Sequence, residues 1–111
     1  MKKHERLFEM SNLSTKKTGL DYTIWITPQS GKEKHEARIK IKIDNKFVSI
    51  TIGDTPELKS KVNIESKKLN KIFDWIKLNK NILLKYWNGK GNITIDEILD
   101  DLKKVKWKNL K

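Results

Sequence analysis

A strict alternation of apolar and charged residues from Ala37 to Ile43 constrains the fold more than any other feature of this sequence. A second alternating segment runs from Phe47 to Ile52, and Asp44-Asn45-Lys46 between the two has the composition of a tight turn. Successive side chains of a strand point to opposite faces, so a period of two places one face on a core and the other in water. The two segments therefore predict an antiparallel hairpin. Its predicted inward residues are Ala37, Ile39, Ile41, Ile43, Val48, Ile50 and Ile52, and its outward cations are Arg38, Lys40 and Lys42.

A long amphipathic helix is predicted over residues 65–88, because its apolar residues recur at i, i+3, i+4 and i+7. Asn79 falls on this stripe, so it is either a buried amide bonded to a backbone or the junction between two helices. Gly89 is predicted to cap the C-terminus. The predicted buried stripe consists of Leu69, Ile72, Phe73, Ile76, Leu83 and Trp87.

The flanking segments complete the predicted fold. Tyr22 to Ile26 predicts a strand, Lys61 to Ile64 a short edge strand, and Ser11 to Gly19 a loop or flexible arm. Thr94 and Glu97 have the spacing of a capping box that starts a second helix. We therefore expect the α+β class: a three- or four-stranded antiparallel sheet with the long helix on one face and a C-terminal helix nearby.

The 111 residues are expected to form one domain. Within it, residues 22–88 are the predicted core, residues 93–107 the C-terminal helix and residues 1–20 a candidate flexible arm.

Cysteine is absent, which excludes disulfides, thiolate nucleophiles and thiolate metal sites and fits a cytoplasmic protein. Residues 1–5 are not followed by the apolar region of a signal peptide. The longest uninterrupted apolar run, Ile24-Trp25-Ile26, is far too short to span a membrane, so no membrane partner is expected.

No enzymatic signature is visible, and no cofactor or metal is expected. His35 lies beside Glu36 but lacks a nucleophile and a third orienting group. His4, the other histidine, lies in the N-terminal arm, so the two histidines make a poor metal site. Gly89-Lys90-Gly91 has the wrong spacing for a phosphate loop and is interpreted as a turn.

The net charge of +11 suggests an acidic protein partner or a nucleic acid. Of the 25 basic residues only Arg6 and Arg38 are arginine, although dedicated phosphate and base readers favour arginine. Lysine, isoleucine and asparagine have AT-rich codons, so codon bias is an alternative source of the charge.

The outward strand residues Arg38, Lys40 and Lys42 form the sharpest candidate binding surface. They recur every second residue, about 7 Å apart, and resemble the phosphate spacing along a nucleic acid strand. Trp25 or Tyr22 on the neighbouring strand could add a stacking platform. The alternative is an ordinary solvated face whose lysines discourage edge-to-edge pairing.

A second candidate surface lies near the C-terminus, where Trp107 stands between Lys106 and Lys108. An apolar ring among cations suits a protein interface, since aromatic residues are enriched at hot spots. Trp75, beside the predicted helical stripe, is either a further core residue or an interface anchor. For each tryptophan, packing against the sheet is the alternative.

Three segments carry a resemblance to a known family: His35-Glu36-Ala37-Arg38-Ile39-Lys40, then Phe47 to Ile52, then Phe73 to Trp87. Residues 22–88 resemble a family of small bacterial proteins that share a domain of unknown function. In that family a His-Pro-Pro-His-Phe-His strand precedes a hairpin partner, and the following helix carries a Trp, a Leu-His-Arg-like segment and a closing Trp.

Departures from the family limit what the resemblance implies. Of the three motif histidines only His35 is present, with Arg38 and Lys40 at the other two positions, and Asn79 replaces the helix histidine. No metal or acid–base role can therefore be transferred. Members are often encoded beside a second small protein, in pairs that look like toxin–antitoxin or mobile-element modules. The resemblance thus implies a protein partner.

Taken together, these features predict a non-enzymatic binding protein that docks to an acidic protein partner in a toxin–antitoxin, defence or phage context. The alternative is a nucleic-acid-binding module that uses the same basic strand face with DNA or RNA.

Overall fold

The computed structural model describes residues 11–29, 31 and 36–103. Four strands form one antiparallel sheet in the order β1-β2-β3-β4, so that each strand pairs with its neighbour along the chain. Helices pack on one face of this sheet, which confirms the predicted α+β class. The elements are β1 (Ser11–Leu13), α1 (Thr15–Thr18), β2 (Ile24–Ile26), β3 (Arg38–Ile43), β4 (Lys46–Thr51), α2 (Ser66–Leu78), α3 (Lys80–Asn88) and α4 (Ile95–Leu99).

The β3–β4 hairpin forms as its alternation predicts. Asp44 and Asn45 connect the strands with φ values of 50° and 67°. Two left-handed residues match the type I′ turn, whose twist suits a two-residue hairpin and which Asp and Asn tolerate better than most residues. The register runs from Arg38 opposite Thr51 to Ile43 opposite Lys46. All seven residues predicted to face inward are buried: Ala37, Ile39, Ile41, Ile43, Val48, Ile50 and Ile52.

The segment predicted as a loop or flexible arm, Ser11 to Gly19, instead forms β1 and α1. Leu13 pairs with Ile24 of β2 and is 2% exposed. The Ser14 side chain accepts a hydrogen bond from the Lys17 backbone and caps α1. A three-residue strand has little tendency to form alone, so β1 depends on the free edge of β2 and on the burial of Leu13.

The edge strand predicted from Lys61 to Ile64 is also absent, and those residues have no regular structure. Residues 57–59 lie alongside β4 instead. The Thr51 amide donates to the Glu57 carbonyl, and the Lys59 amide donates to the Ser49 carbonyl. The chain turns back directly after β4, so this backbone reaches the open edge first. It satisfies part of an edge that would otherwise be free to pair with another chain.

The predicted long helix is interrupted at Asn79, which separates α2 from α3. Ile72 and Ile76 are buried as predicted, but Leu69 and Phe73 are only half-buried. Trp75 is 0% exposed and belongs to the core, which is the first of the two alternatives raised for it. The two helices bury Ile72, Trp75, Ile76, Leu83, Tyr86 and Trp87 together with the inner face of the sheet.

Asn79 is 1% exposed and is the buried amide that joins the helices to the end of the described chain. Its Nδ2 donates to the Trp75 carbonyl at 3.0 Å and to the Lys103 carbonyl at 3.0 Å. Its Oδ1 accepts from the Lys103 amide at 2.8 Å. Both alternatives raised by the sequence are therefore true of this residue, because it is a junction between helices and a bonded amide.

The Thr94–Glu97 capping box is present at the start of α4. α4 ends at Leu99, well short of the predicted end at residue 107, although residues beyond 103 lie outside the described chain. Gly89 ends α3 as predicted, but its φ of −73° is one that any residue can adopt. A Cβ there would lie 2.9 Å from the Ile93 side chain, so close packing is what requires glycine.

None of the helices in the described part of the chain is long and apolar enough to cross a membrane.

We predict that Asn79→Ala lowers the free energy of unfolding by about 2–4 kcal/mol, since it leaves the partly buried amide and carbonyl of Lys103 without their partner. Urea unfolding followed by circular dichroism measures this. Asn81→Ala is the matched control, because Asn81 is exposed on α3, and it should change stability by less than about 0.5 kcal/mol. Equal effects of the two variants would contradict the role assigned to Asn79.

A second prediction concerns Asp54, whose carboxylate accepts a 2.6 Å hydrogen bond from Lys80 at the start of α3. This hydrogen bond, with the attraction of the ammonium charge, lowers the pKa of Asp54 below its usual value. A lowered carboxyl pKa stabilises the fold above the unfolded-state pKa, and this contribution is lost as pH falls through the folded-state pKa. We expect Lys80→Gln to raise the Asp54 pKa in an NMR titration and Lys77→Gln to leave it unchanged.

Candidate binding face

The face of the sheet opposite the core is the strongest candidate site, and we call it the outer face. Strand alternation and register assign eight side chains to it. One continuous row crosses all four strands, from Asn12 through Trp25 and Lys40 to Ser49. The eight outer-face residues are Asn12, Trp25, Arg38, Lys40, Lys42, Phe47, Ser49 and Thr51.

The structure brings the three predicted cations together along β3. Arg38 lies 3.8 Å from the Glu36 carboxylate, and its side chain is 19% exposed. Lys40 is half-buried and Lys42 is exposed. Neither lysine forms an ion pair with any described residue. Two neighbouring positive charges on this face are therefore not neutralised within the described chain.

Two aromatic rings lie beside these cations. The Trp25 and Phe47 ring centroids are 5.5 Å apart with planes at 88°, an edge-to-face pair. The Lys42 Nζ lies 5.5 Å from the Phe47 centroid, at cation–π distance. Phe47 is 43% exposed, whereas Trp25 is half-buried. Phe47, and not Trp25, is thus the accessible ring of the outer face.

Phe47 was not among the candidates taken from the sequence, although a signal for it was present. Phe47 is one residue before Val48, the first of the inward-facing residues Val48, Ile50 and Ile52. The alternation therefore places this large apolar side chain on the solvent-facing side of the hairpin. An apolar residue that breaks the pattern in this way indicates either an aromatic contact across strands or a binding surface. Here Phe47 has both a cross-strand contact and an exposed ring.

Hydrogen-bond donors dominate the charged part of this face. The Trp25 Nε1 and the Arg38 Nε are both buried and have no acceptor among the described residues. Lys40 and Lys42 add two ammonium groups. None of the eight outer-face residues is acidic, and Glu36, beside Arg38, marks the boundary of the basic surface. Since the Trp25 and Arg38 nitrogens are buried, the lysine ammonium groups are the donors that suit a negatively charged ligand.

Other predicted site residues lie apart from this face. Tyr22 packs against the core cluster and has the Lys68 Nζ 6.0 Å from its ring, so it cannot share a stacking platform with the outer cations. Lys106, Trp107 and Lys108 lie outside the described residues, as do His4 and His35. The outer face therefore includes Trp25, Arg38, Lys40 and Lys42 from the sequence-based set and adds Phe47.

Two further features of the described residues concern metal and acid–base chemistry. Among them no group of three or more His, Cys, Asp or Glu side chains could hold a metal ion. An open depression of about 340 Å³ is lined by Asn12, Leu13, Ser14, Lys17 and Leu99. Its only charged lining residue is Lys17, so it offers no acid–base pair.

Comparison with protein-family models, with curated proteins and with solved structures finds no match for this chain. The resemblance of residues 22–88 to a small bacterial family therefore stays a prediction, and the outer face has to be interpreted from its own chemistry.

The Trp25–Phe47 contact yields a testable prediction. Edge-to-face pairs contribute about 0.5–1.5 kcal/mol beyond the area they bury. A double-mutant cycle of Trp25→Leu and Phe47→Leu, measured by urea unfolding, should give a coupling energy in that range. A control cycle of Trp25→Leu with Leu78→Ala should be additive, because Leu78 is exposed at the end of α2. A coupling near zero for the first pair would contradict the contact.

Proposed function

We propose that this chain is a non-enzymatic binding protein that docks an acidic macromolecular partner on the outer face. The observation that carries the proposal is the pair of unneutralised lysines, Lys40 and Lys42, beside the exposed ring of Phe47. A basic face attracts and orients an acidic partner over several ångströms. The exposed aromatic ring beside the two lysines supplies the apolar contact that binding hot spots commonly use.

Two classes of partner fit this proposal. An acidic protein is favoured by the sequence resemblance, which implies a second small protein in a toxin–antitoxin, defence or phage module. A nucleic acid is favoured by the accessible ring next to cations at strand spacing. The lack of cysteine suits a reducing, cytoplasmic setting for either partner.

The experiment uses two simple polyanions as probes, poly-L-glutamate for carboxylates and a single-stranded oligothymidylate for phosphates. The paired substitution Lys40→Glu with Lys42→Glu should weaken binding of at least one probe about tenfold, because it turns two attractive charges into repulsive ones. Fluorescence anisotropy at low salt measures both affinities.

The matched control is Lys67→Glu with Lys85→Glu, which changes the net charge equally but alters exposed lysines on α2 and α3. It should weaken binding by much less. If both double variants lose affinity equally, the attraction is a property of total charge and the outer face is not a site. If neither polyanion binds the unmodified protein at low salt, the proposal fails.

A further inference from the structure

We infer that the partner of the outer face is a single-stranded nucleic acid, an inference that rests on the proposed function. Its phosphates lie against Lys40 and Lys42, and one unstacked base lies on the Phe47 ring. The inference deepens the proposed docking role by choosing one class of partner. Two features of the outer face carry it: the spacing of the cations and the exposure and fixed orientation of the Phe47 ring.

The cation spacing suits successive phosphates. Arg38, Lys40 and Lys42 alternate along β3 and recur about every 7 Å. A single strand lying along β3 can therefore place consecutive phosphates near consecutive cations. Arg38 already contacts Glu36, so Lys40 and Lys42 are the two contacts assigned to phosphate.

The Phe47 ring is held ready for stacking. The edge-to-face contact with Trp25 fixes its orientation before any ligand arrives. Lys42 is paired directly with Phe47 across the hairpin and approaches the ring with its ammonium group. Such a cation–π contact is weak at an exposed site. A base can take the place of the ammonium on the ring while Lys42 moves to the adjoining phosphate.

Chemistry distinguishes this partner from the alternatives. A duplex keeps its bases stacked and presents no free base face to the Phe47 ring. An acidic peptide matches the cations with its carboxylates, but it needs a separate apolar side chain to contact the ring. A single strand offers both phosphates and accessible base faces, the combination that general single-strand binders use.

The first test is the salt dependence of binding to an oligothymidylate of about 15 nucleotides, between roughly 50 and 200 mM salt. Each phosphate contact on a single strand contributes about 0.7 to the slope of log affinity against log salt. Lys40→Gln with Lys42→Gln should therefore reduce the slope by about 1.4. Lys67→Gln with Lys85→Gln should leave it nearly unchanged.

The second test isolates the base. Phe47→Leu keeps an apolar side chain but removes the ring, and it should weaken oligothymidylate binding roughly 5- to 150-fold. The same variant should bind an abasic oligonucleotide of equal length as well as the unmodified protein does. Leu78→Ala, which alters the other large exposed apolar residue of the described part of the chain, should affect neither probe. Thermal unfolding checks that each variant is folded.

The outcomes separate this inference from the proposed function. The nucleic-acid inference would be overturned if poly-L-glutamate binds to the outer face and oligothymidylate does not bind. The docking role would then remain, with an acidic protein as the partner. If Phe47→Leu weakens binding of the normal and the abasic oligonucleotide equally, the stacking contact is overturned. Binding of neither polyanion would remove both proposals together.

Discussion

Burial of every second side chain of β3 and β4 beneath α2 and α3 is the constraint on which the rest of this structure depends. Ile39, Ile41 and Ile50 are 0% exposed, and each contributes roughly 1.5–3 kcal/mol by leaving water. A slip of one residue would expose all of them and drive Lys40 and Lys42 into the core. The geometry of the outer face is therefore held by the energy of the inner face. Substitutions among the outward residues can change what the face binds without threatening the register that positions it.

Local patterns predicted the parts of the fold that local chemistry decides. The hairpin needs only alternating side chains and two turn residues that tolerate the left-handed backbone conformation. Asp44 and Asn45 are those turn residues. The helical region shows where such patterns fail. Phe73 and Trp75 both lie near the apolar stripe, and the path of α2 across the sheet decides that Trp75 is the buried one. Asn79 is bonded to Lys103, 24 residues further along the chain, and no spacing rule connects such positions.

The same distinction applies to the outer face. Alternation alone assigns Arg38, Lys40 and Lys42 to one side of the sheet. The same alternation along β2 puts Tyr22, like Ile24 and Ile26, on the side opposite Trp25. Parity also turns Phe47 outward. What alternation cannot supply is the contact between Phe47 and Trp25, because these residues belong to β4 and β2 and meet across β3. The accessible ring and its orientation therefore depend on the combined register of three strands, which only the folded chain reveals.

The order of the elements has a consequence for synthesis of the chain. All four strands lie before residue 52, and the helices that cover them begin at Ser66. A ribosome thus releases the entire sheet before α2 and α3 can emerge, and at roughly 5–20 residues per second this interval lasts on the order of seconds. During that time the isoleucine-rich inner face has no intramolecular cover. The lysines on the opposite side, whatever they bind in the finished protein, keep the nascent sheet charged and discourage its association with other chains.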